Sequence, residues 1–121
     1  MGGLARTLQY LPAGHPARAR FETQFREMAA KVAGLQQPDG LWRASLLDPN
    51  AYPARETSGT GLFTYALAWG VNQGLLDRAT YEPTVRRAWA ALAASVAPDG
   101  KLTHVQPVSY THLTLPTILR V

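Results

Sequence analysis

Hydrophobic positions recur at helical intervals along the chain and predict four helices. The first is a short stretch with Leu4, Leu8 and Leu11 on one side, and Pro12 ends it. It starts almost at residue 1 without an N-cap, so we expect the protein to begin further upstream. The second helix, predicted over 16–36, has a single apolar stripe opposite a polar face. This stripe consists of Phe21, Phe25, Met28, Val32 and Leu35.

The third and fourth predicted helices differ in how many of their sides are apolar. The third, over 58–75, is apolar all round and carries no charge, so protein must cover most of it. The fourth, over 81–96, is one-sided, and Thr80 is its predicted N-cap. Its apolar stripe consists of Val85, Trp89, Leu92 and Val96. The chain therefore alternates between inner helices and outer, half-solvated ones.

A sequence repeat accompanies this alternation. Pro38-Asp39-Gly40 and Pro98-Asp99-Gly100 each follow an outer helix, 60 residues apart. A period in this range is typical of an array of helical hairpins. One hairpin cannot bury its own inner helix, and two are too few to close a ring. The pattern therefore predicts a part of a helical toroid.

The composition narrows the classes of function. The formal net charge is +4, but basic residues are interspersed with acidic ones, whereas a nucleic-acid surface needs a contiguous basic stripe. We expect no nucleic-acid partner. No apolar stretch reaches the roughly 20 residues that cross a bilayer, and no signal peptide is visible. No membrane partner is expected, and the cytoplasm is the favoured compartment. The absence of cysteine excludes disulfides and thiolate zinc sites.

The lengths of the connections predict where a ligand binds. The connection 37–57 is roughly 20 residues long, which exceeds an ordinary loop and favours a functional one. In an array of hairpins, such long loops gather at the N-terminal ends of the inner helices, a rim that we call the mouth. Free N–H groups and positive ends of helix dipoles at the mouth suit carboxylates or oxyanions.

Trp42 is the first candidate residue in this loop. Its ring can stack on the apolar face of a sugar, or it can plug a small core of the loop itself, and both interpretations stay open. Asp39 and Asp99 lie in the two Pro-Asp-Gly turns and are interpreted as turn formers. Asp48, which precedes Pro49, has the same interpretation.

Glu56 comes directly before the third helix, whose start consists of small residues. It can accept hydrogen bonds from sugar hydroxyls or take part in proton transfer, or it can cap the helix and complement its dipole. Thr57 and Ser58 are further candidates for substrate binding. His104, in the next long loop, is expected to reach the same mouth. No second histidine stands at a ligand spacing from it, so we expect no metal site.

Three motifs resemble the unsaturated rhamnogalacturonyl hydrolases of glycoside hydrolase family 88/105. They are D-G-L-W at 39–42, E-T-S-G-T at 56–60 and Y-A-L-A-W-G-V-N-x-G at 65–74. The resemblance covers roughly residues 2–108. It implies an all-α fold in which this chain is a fragment, about two helical hairpins, of an (α/α)6 barrel or toroid.

The resemblance also implies an activity. Members of the family remove the unsaturated uronic acid that pectin lyases leave on oligosaccharides. An acidic residue protonates the enol-ether double bond, water adds at the neighbouring carbon, and the hemiketal collapses to release the sugar, without a metal or organic cofactor. The family's catalytic aspartates and a G-R-x-N-G-W stretch lie upstream of the matched part, so no catalytic residue is assigned. The candidates for substrate binding are Trp42, Glu56, Thr57, Ser58 and His104.

Residues 109–121 depart from the family. Their sequence fits no helical period and resembles translated sequencing-adapter DNA, with a genuine divergent tail as the alternative. We therefore expect a bacterial glycoside hydrolase fragment over 1–108 that is inactive alone and that self-associates through exposed inner helices. Two other hypotheses stay open: a non-catalytic helical-repeat module that binds proteins, and another α/α-toroid carbohydrate enzyme. A sugar epimerase would need histidine pairs that the chain does not show.

Overall fold

The computed structural model describes residues 1–106, and the interpretation of 109–121 lies outside these described residues. Within 1–106 the chain forms four α-helices and no β-strand. The helices are α1 (Gly2–Tyr10), α2 (Arg18–Ala33), α3 (Ser58–Asn72) and α4 (Arg78–Ala94). The four predicted helices are therefore confirmed in number and order.

The four helices share one hydrophobic core. Helix α3 packs against α4 and α1, and α1 packs in turn against α2. The loop after α2 adds Trp42 to this core. Fully buried core residues from the helices include Leu8, Phe25, Leu67 and Ala88. The two inner helices α1 and α3 thus lie against each other, and each has its own outer helix.

Gly70 of α3 makes room for the side chains of Phe25, from α2, and Leu76. A Cβ atom at this position would lie 2.6 Å from Cε1 of Phe25 and 2.7 Å from Cδ1 of Leu76. The Phe25 ring fills the space and meets the Trp69 ring edge to face, with centroids 5.5 Å apart. A glycine in the middle of a helix is unfavourable by itself, so its presence here reflects the packing.

Two arginines of α2 tie the C-terminal ends of the inner helices. Nη1 of Arg18 donates hydrogen bonds to the carbonyl oxygens of Leu8 and Leu11, at 3.2 and 2.5 Å. Nε of Arg26 donates to the carbonyl oxygen of Leu75 at 3.2 Å. Leu8 lies in the last turn of α1, whereas Leu11 and Leu75 follow the ends of α1 and α3. The arginines therefore provide donors for carbonyl oxygens at or beyond the helix ends and join α2 to both hairpins.

Helix α4 differs from its prediction at its start and on its buried side. Its N-cap is Asp77, whose Oδ2 accepts a hydrogen bond from the Thr80 N–H at 2.8 Å, so the predicted N-cap Thr80 is wrong. The buried residues of α4 are Thr84, Ala88 and Leu92. Trp89, from the predicted stripe, is 67% exposed. The short side chains allow a close approach to the rest of the core. Of the predicted stripe, Trp89 and Val96 therefore face outward, whereas Leu92 is buried and Val85 is half-buried.

The two Pro-Asp-Gly segments form turns of the same structure, which we call turn I (37–41) and turn II (97–101). In each, the N–H of the first residue donates to the carbonyl oxygen of the last at 2.9 Å. Gly40 and Gly100 have the same φ of +84°, which favours glycine. Their surroundings differ: a Cβ on Gly40 would lie 2.6 Å from the carbonyl oxygen of Arg87, whereas nothing lies within 4 Å at Gly100.

Gln36 fastens turn I to α4. Its Nε2 donates to the carbonyl oxygens of Gly40 and Thr84, at 2.9 and 3.0 Å. Its Oε1 accepts from Nε and Nη2 of Arg87, at 3.0 and 2.8 Å. One outer helix is thereby joined to the next through the turn that ends it.

Candidate functional site

Two loops meet at the start of α3, as predicted. The N–H of Thr57 donates to the carbonyl oxygen of His104 at 3.0 Å, and Oγ1 of Thr57 donates to the carbonyl oxygen of Thr103 at 2.7 Å. Thr57 is completely buried between the loops. The long loop and the segment around His104 therefore lie at the same end of the helices, which is the mouth.

Glu56 caps α3. Its side chain is only 6% exposed, and Oε1 and Oε2 accept hydrogen bonds from the N–H groups of Ser58 and Gly59 at 2.7 and 2.8 Å. The Ser58 hydroxyl donates to the same carboxylate. The expectation of free N–H groups for a substrate anion is therefore wrong at these two residues, because the protein's own carboxylate occupies them.

Gly59 makes room for this cap. A Cβ at Gly59 would lie 2.6 Å from Oε2 of Glu56 and would push the carboxylate away from the helix. The small residues at the start of α3 thus serve the protein's own cap. The structure agrees with the capping interpretation of Glu56.

We expect Glu56→Ala to lower the free energy of unfolding by about 1–2 kcal/mol, because the first turn of α3 loses its acceptors. Urea unfolding followed by circular dichroism measures this loss. Glu27→Ala, at an exposed position of α2, is the matched control and should leave the stability nearly unchanged. Unchanged stability of the Glu56 variant would contradict the capping role.

Of the two interpretations of Trp42, the structure agrees with the one in which the ring fills a core instead of stacking on a sugar. Its ring is 1% exposed, and Nε1 donates to the carbonyl oxygen of Val32 at 2.8 Å. The ring meets Phe63 with centroids 5.4 Å apart. Its backbone N–H donates to Oγ1 of Thr60 at 3.0 Å, and the chain at 42 pairs with Glu56 in an isolated antiparallel bridge. In this structure neither face of the indole is open to a sugar.

Ser58 and His104 lie at the surface of the mouth. Ser58 is half-buried, and its hydroxyl is engaged by Glu56. His104 is exposed, with Nδ1 2.8 Å from Oγ1 of Thr103. Its φ of 57° lies in the left-handed region, which histidine adopts more readily than most residues. Of the predicted site residues, His104 is the one with an open side chain.

Asp39 and Asp99 form their turns as predicted, each accepting from the N–H two residues onward at 3.1 Å. Asp39 also binds Arg43 through both oxygens, at 3.2 and 2.8 Å. Partial burial of Asp39 opposes ionisation, but the hydrogen bonds from Arg43 and Leu41 and the charges of Arg43 and Arg55 outweigh it and lower the pKa.

The lowered pKa of Asp39 makes its contribution to stability depend on pH. The folded protein holds the ionised carboxylate more strongly than the unfolded chain does, so this contribution is present above about pH 4 and is lost as pH falls through the folded-state pKa. We expect Asp39→Asn to cost about 0.5–1 kcal/mol at pH 7 and less at pH 2.5. Urea unfolding at both pH values measures the difference, and a constant cost would contradict the ionic contribution.

The long loop also exposes residues that the sequence analysis did not select. Leu47 is 77% and Tyr52 is 64% exposed, and Arg55 is exposed at the base of the loop. An aromatic residue between prolines at positions 49 and 53 was the signal that could have identified Tyr52. Trp42, in the same loop, was predicted instead because its large aromatic face can stack on the apolar face of a sugar.

Within residues 1–106 no group of three or more histidine and acidic side chains is placed to hold a metal ion. The helices of this part of the chain are all too short or too polar to cross a membrane.

A family profile, two curated relatives and a solved structure point to one family. The sequence profile of Glycosyl Hydrolase Family 88 matches residues 1–115. An "Unsaturated 3S-rhamnoglycuronyl hydrolase" from Formosa agariphila is 49% identical over 108 residues, 89% of this chain and 29% of that protein. A protein of the same name from an Alteromonas species is 40% identical over 101 residues, 84% of this chain and 24% of that protein. A solved glycosyl hydrolase family 88 structure from Bacteroides vulgatus has a TM-score of 0.87 and 44% identity, covering 89% of this chain and 31% of that one.

The chain thus spans less than a third of the length of these relatives. Proteins of families 88 and 105 fold as (α/α)6 toroids, and the four described helices correspond to one part of such a toroid. The predicted fold class is confirmed. Because the profile matches residues 1–115 and the helices superimpose on a solved member, the chain belongs to glycosyl hydrolase family 88.

Proposed function

We propose that the chain is part of a glycoside hydrolase that removes an unsaturated uronic acid from rhamnose-containing oligosaccharides, with pectin-derived rhamnogalacturonan as their source. The observation that carries this proposal is the 49% identity to a relative named an unsaturated 3S-rhamnoglycuronyl hydrolase. The position of the two long loops at the mouth supports it, since loops held by a rigid scaffold commonly carry binding residues.

The proposed reaction is hydration of the enol-ether double bond. An acid donates a proton to one carbon of the double bond, and the oxygen of a water molecule adds to the other carbon, which also bears the ring oxygen. The hemiketal that results collapses and releases the linked sugar, so that one water is consumed for each bond broken. The required protein group is a carboxylic acid that stays protonated near neutral pH, which takes dry surroundings.

The carboxylates of this chain at the mouth do not offer that environment. Glu56 is engaged by the start of α3, and Asp39 is ion-paired with Arg43. Asp48 is exposed to solvent, and Asp99 lies in turn II, where it is also exposed. The catalytic acid is therefore proposed to come from another part of the toroid, and the 121-residue chain alone is expected to be inactive.

An exchange of segments tests this function. Residues 1–106 replace the matching part of the Formosa agariphila relative, and the chimera is incubated with an unsaturated galacturonyl-rhamnose disaccharide. Loss of the ultraviolet absorbance of the double bond reports turnover. We expect turnover by the chimera and none by the 121-residue chain.

Two results would contradict the proposal. Turnover by the 121-residue chain would place the catalytic acid among its own carboxylates. A chimera that has the circular dichroism and thermal transition of the relative, but that is inactive where the relative is active, would instead favour a helical module that binds other proteins.

A second part of the proposal concerns self-association. A groove of about 660 Å³ runs between α3 and α4, and its lining includes Tyr65, Val85 and Trp89. A second apolar groove with Leu62 and Leu102 continues it towards the mouth. Contiguous apolar surface of this kind marks an interface. Because the relatives are more than three times as long as the matched part, this face is inferred to be where their toroid continues. In the isolated chain a second copy is proposed to cover it.

We expect Trp89→Lys to shift the 121-residue chain from self-associated species towards monomer, because the exposed indole is the largest apolar group on this face. Sedimentation velocity at several protein concentrations measures the change. Tyr10→Ser is the control, since Tyr10 is 73% exposed on α1 but lies outside both grooves. Equal sedimentation of the wild-type chain and Trp89→Lys would exclude the face.

A further inference from the structure

The segment 44–54 of the long loop presents apolar side chains to solvent although its base is firmly held. The bridge between Trp42 and Glu56 closes the base, and Leu46 packs against the core. Pro49 and the turn from the Asp48 carbonyl oxygen to the Ala51 N–H, at 3.1 Å, restrict the backbone between them. The backbone of this segment is restricted while Leu47 and Tyr52 stay exposed. The segment therefore offers a preformed contact surface.

A positive charge lies beside this surface. In the antiparallel bridge Trp42 and Glu56 are opposite each other and point inward, so Arg43 and Arg55 follow on the other face of the paired chains. Arg43 forms a bidentate ion pair with Asp39. Arg55 forms no hydrogen bond or ion pair with any residue of 1–106, although its charge acts on Asp39. The guanidinium groups of Arg43 and Arg55 and the carboxylate of Asp39 together leave a net charge of +1 at the base of the loop.

We propose that Tyr52 and Arg55 form a contact site for an anionic oligosaccharide at the edge of the mouth, outside the reaction centre. The Tyr52 ring stacks on the apolar face of a pyranose, and Arg55 pairs with an acidic substituent of the same oligosaccharide. No bond is made or broken at this site. It rests on the proposed function, since it names how the substrate of that hydrolase is held beyond the sugar that reacts.

The location fits this role better than the predicted platform does. Trp42 has its ring buried, whereas Tyr52 belongs to the same loop and keeps most of its ring in water. Tyrosine loses little conformational freedom on binding, and its hydroxyl can stay hydrated while the ring face is covered. Arginine suits the second contact because its planar group matches a carboxylate.

The test measures binding of saturated digalacturonate to the 121-residue chain by isothermal titration calorimetry. Tyr52→Ala should weaken binding about tenfold, whereas Tyr52→Phe should retain most of it. Tyr10→Ala is the matched control: Tyr10 is the other strongly exposed tyrosine of the described chain, at the C-terminal end of α1, and its loss should change nothing.

The contribution of Arg55 is tested by the charge of the ligand. Arg55→Gln should weaken binding of digalacturonate but leave binding of its neutral methyl ester unchanged, and Arg20→Gln on the exposed face of α2 should affect neither. Equal affinity of Tyr52→Ala and wild type, or no binding by the wild-type chain, would overturn the proposal. Because saturated digalacturonate has no double bond, this result is independent of turnover by the chimera.

Discussion

Replacing Trp42 with alanine is expected to lower the free energy of unfolding by about 3–5 kcal/mol, because the indole is the largest side chain that the core buries completely. The substitution would leave a cavity beside Phe63 and remove one of the two hydrogen bonds that the Val32 carbonyl oxygen accepts. A small domain has a total stability of only about 5–15 kcal/mol, so this loss is a large share of the stability. Urea unfolding of both proteins at pH 7 measures the loss.

Trp42→Phe separates the two contributions. Phenylalanine fills much of the cavity but has no N–H, so it is expected to cost about 1–3 kcal/mol for the lost hydrogen bond and the smaller ring, although the Val32 carbonyl oxygen keeps its bond from the Leu35 N–H. A Trp42→Ala protein with wild-type stability and weaker oligosaccharide binding would mean that the ring acts as a sugar platform in solution. Stability and binding should therefore be measured on the same samples.

Replacing Gly40 with alanine is expected to cost on the order of 3 kcal/mol. The left-handed backbone costs a residue with a Cβ about 1–2 kcal/mol, and the Cβ would in addition force the Arg87 carbonyl oxygen away from a distance of 2.6 Å. The shift would also loosen the bonds that Gln36 makes to α4. Thermal and urea unfolding measure the effect.

The repeat supplies the control for this experiment. Gly100 has the same φ in turn II but has open space where Gly40 meets α4. Gly100→Ala should therefore show the backbone cost alone, about 1–2 kcal/mol. Equal costs at the two glycines would mean that the contact of turn I with α4 contributes nothing to the stability.

The order of the helices and the repeat could be predicted from the sequence because both follow from local patterns. Apolar spacing identified α2 and α3 to within a few residues of their observed ends, and the two Pro-Asp-Gly segments predicted turns with matching backbones. Turn chemistry depends on a few adjacent residues, so it is readable without knowledge of the tertiary contacts.

The orientation of α4 could not be predicted, because it depends on which side chains allow close approach. Hydropathy favoured the side with Trp89, but Thr84 and Ala88 are smaller and let the helix lie against turn I and the core. The helix also begins earlier than predicted, because its N-cap is Asp77 and not Thr80. Sequence patterns rank residues by hydrophobicity, whereas packing depends on shape.

The location of the candidate site could be predicted from the sequence, but only some of the residues that form it could be. The meeting of the long loop with His104 at the mouth follows from the order of helices and loops. The burial of Trp42 and the exposure of Tyr52 do not, because both aromatic residues lie in the same loop and their sequence neighbours do not distinguish them. Glu56 was ambiguous for the same reason: a carboxylate before a helix fits a cap as well as a ligand.

The closed base of the long loop has a consequence for how the proposed specificity for oligosaccharides can change. The pairing of 42 with 56 closes the base of the loop, and Leu46 packs against the core, so the part that can be exchanged as a cassette is the stretch 47–54. Doubling the length of a flexible loop costs only about 0.6 kcal/mol in closure entropy. Insertions, deletions or exchanges of this cassette would alter the proposed oligosaccharide contacts while the scaffold keeps its melting temperature.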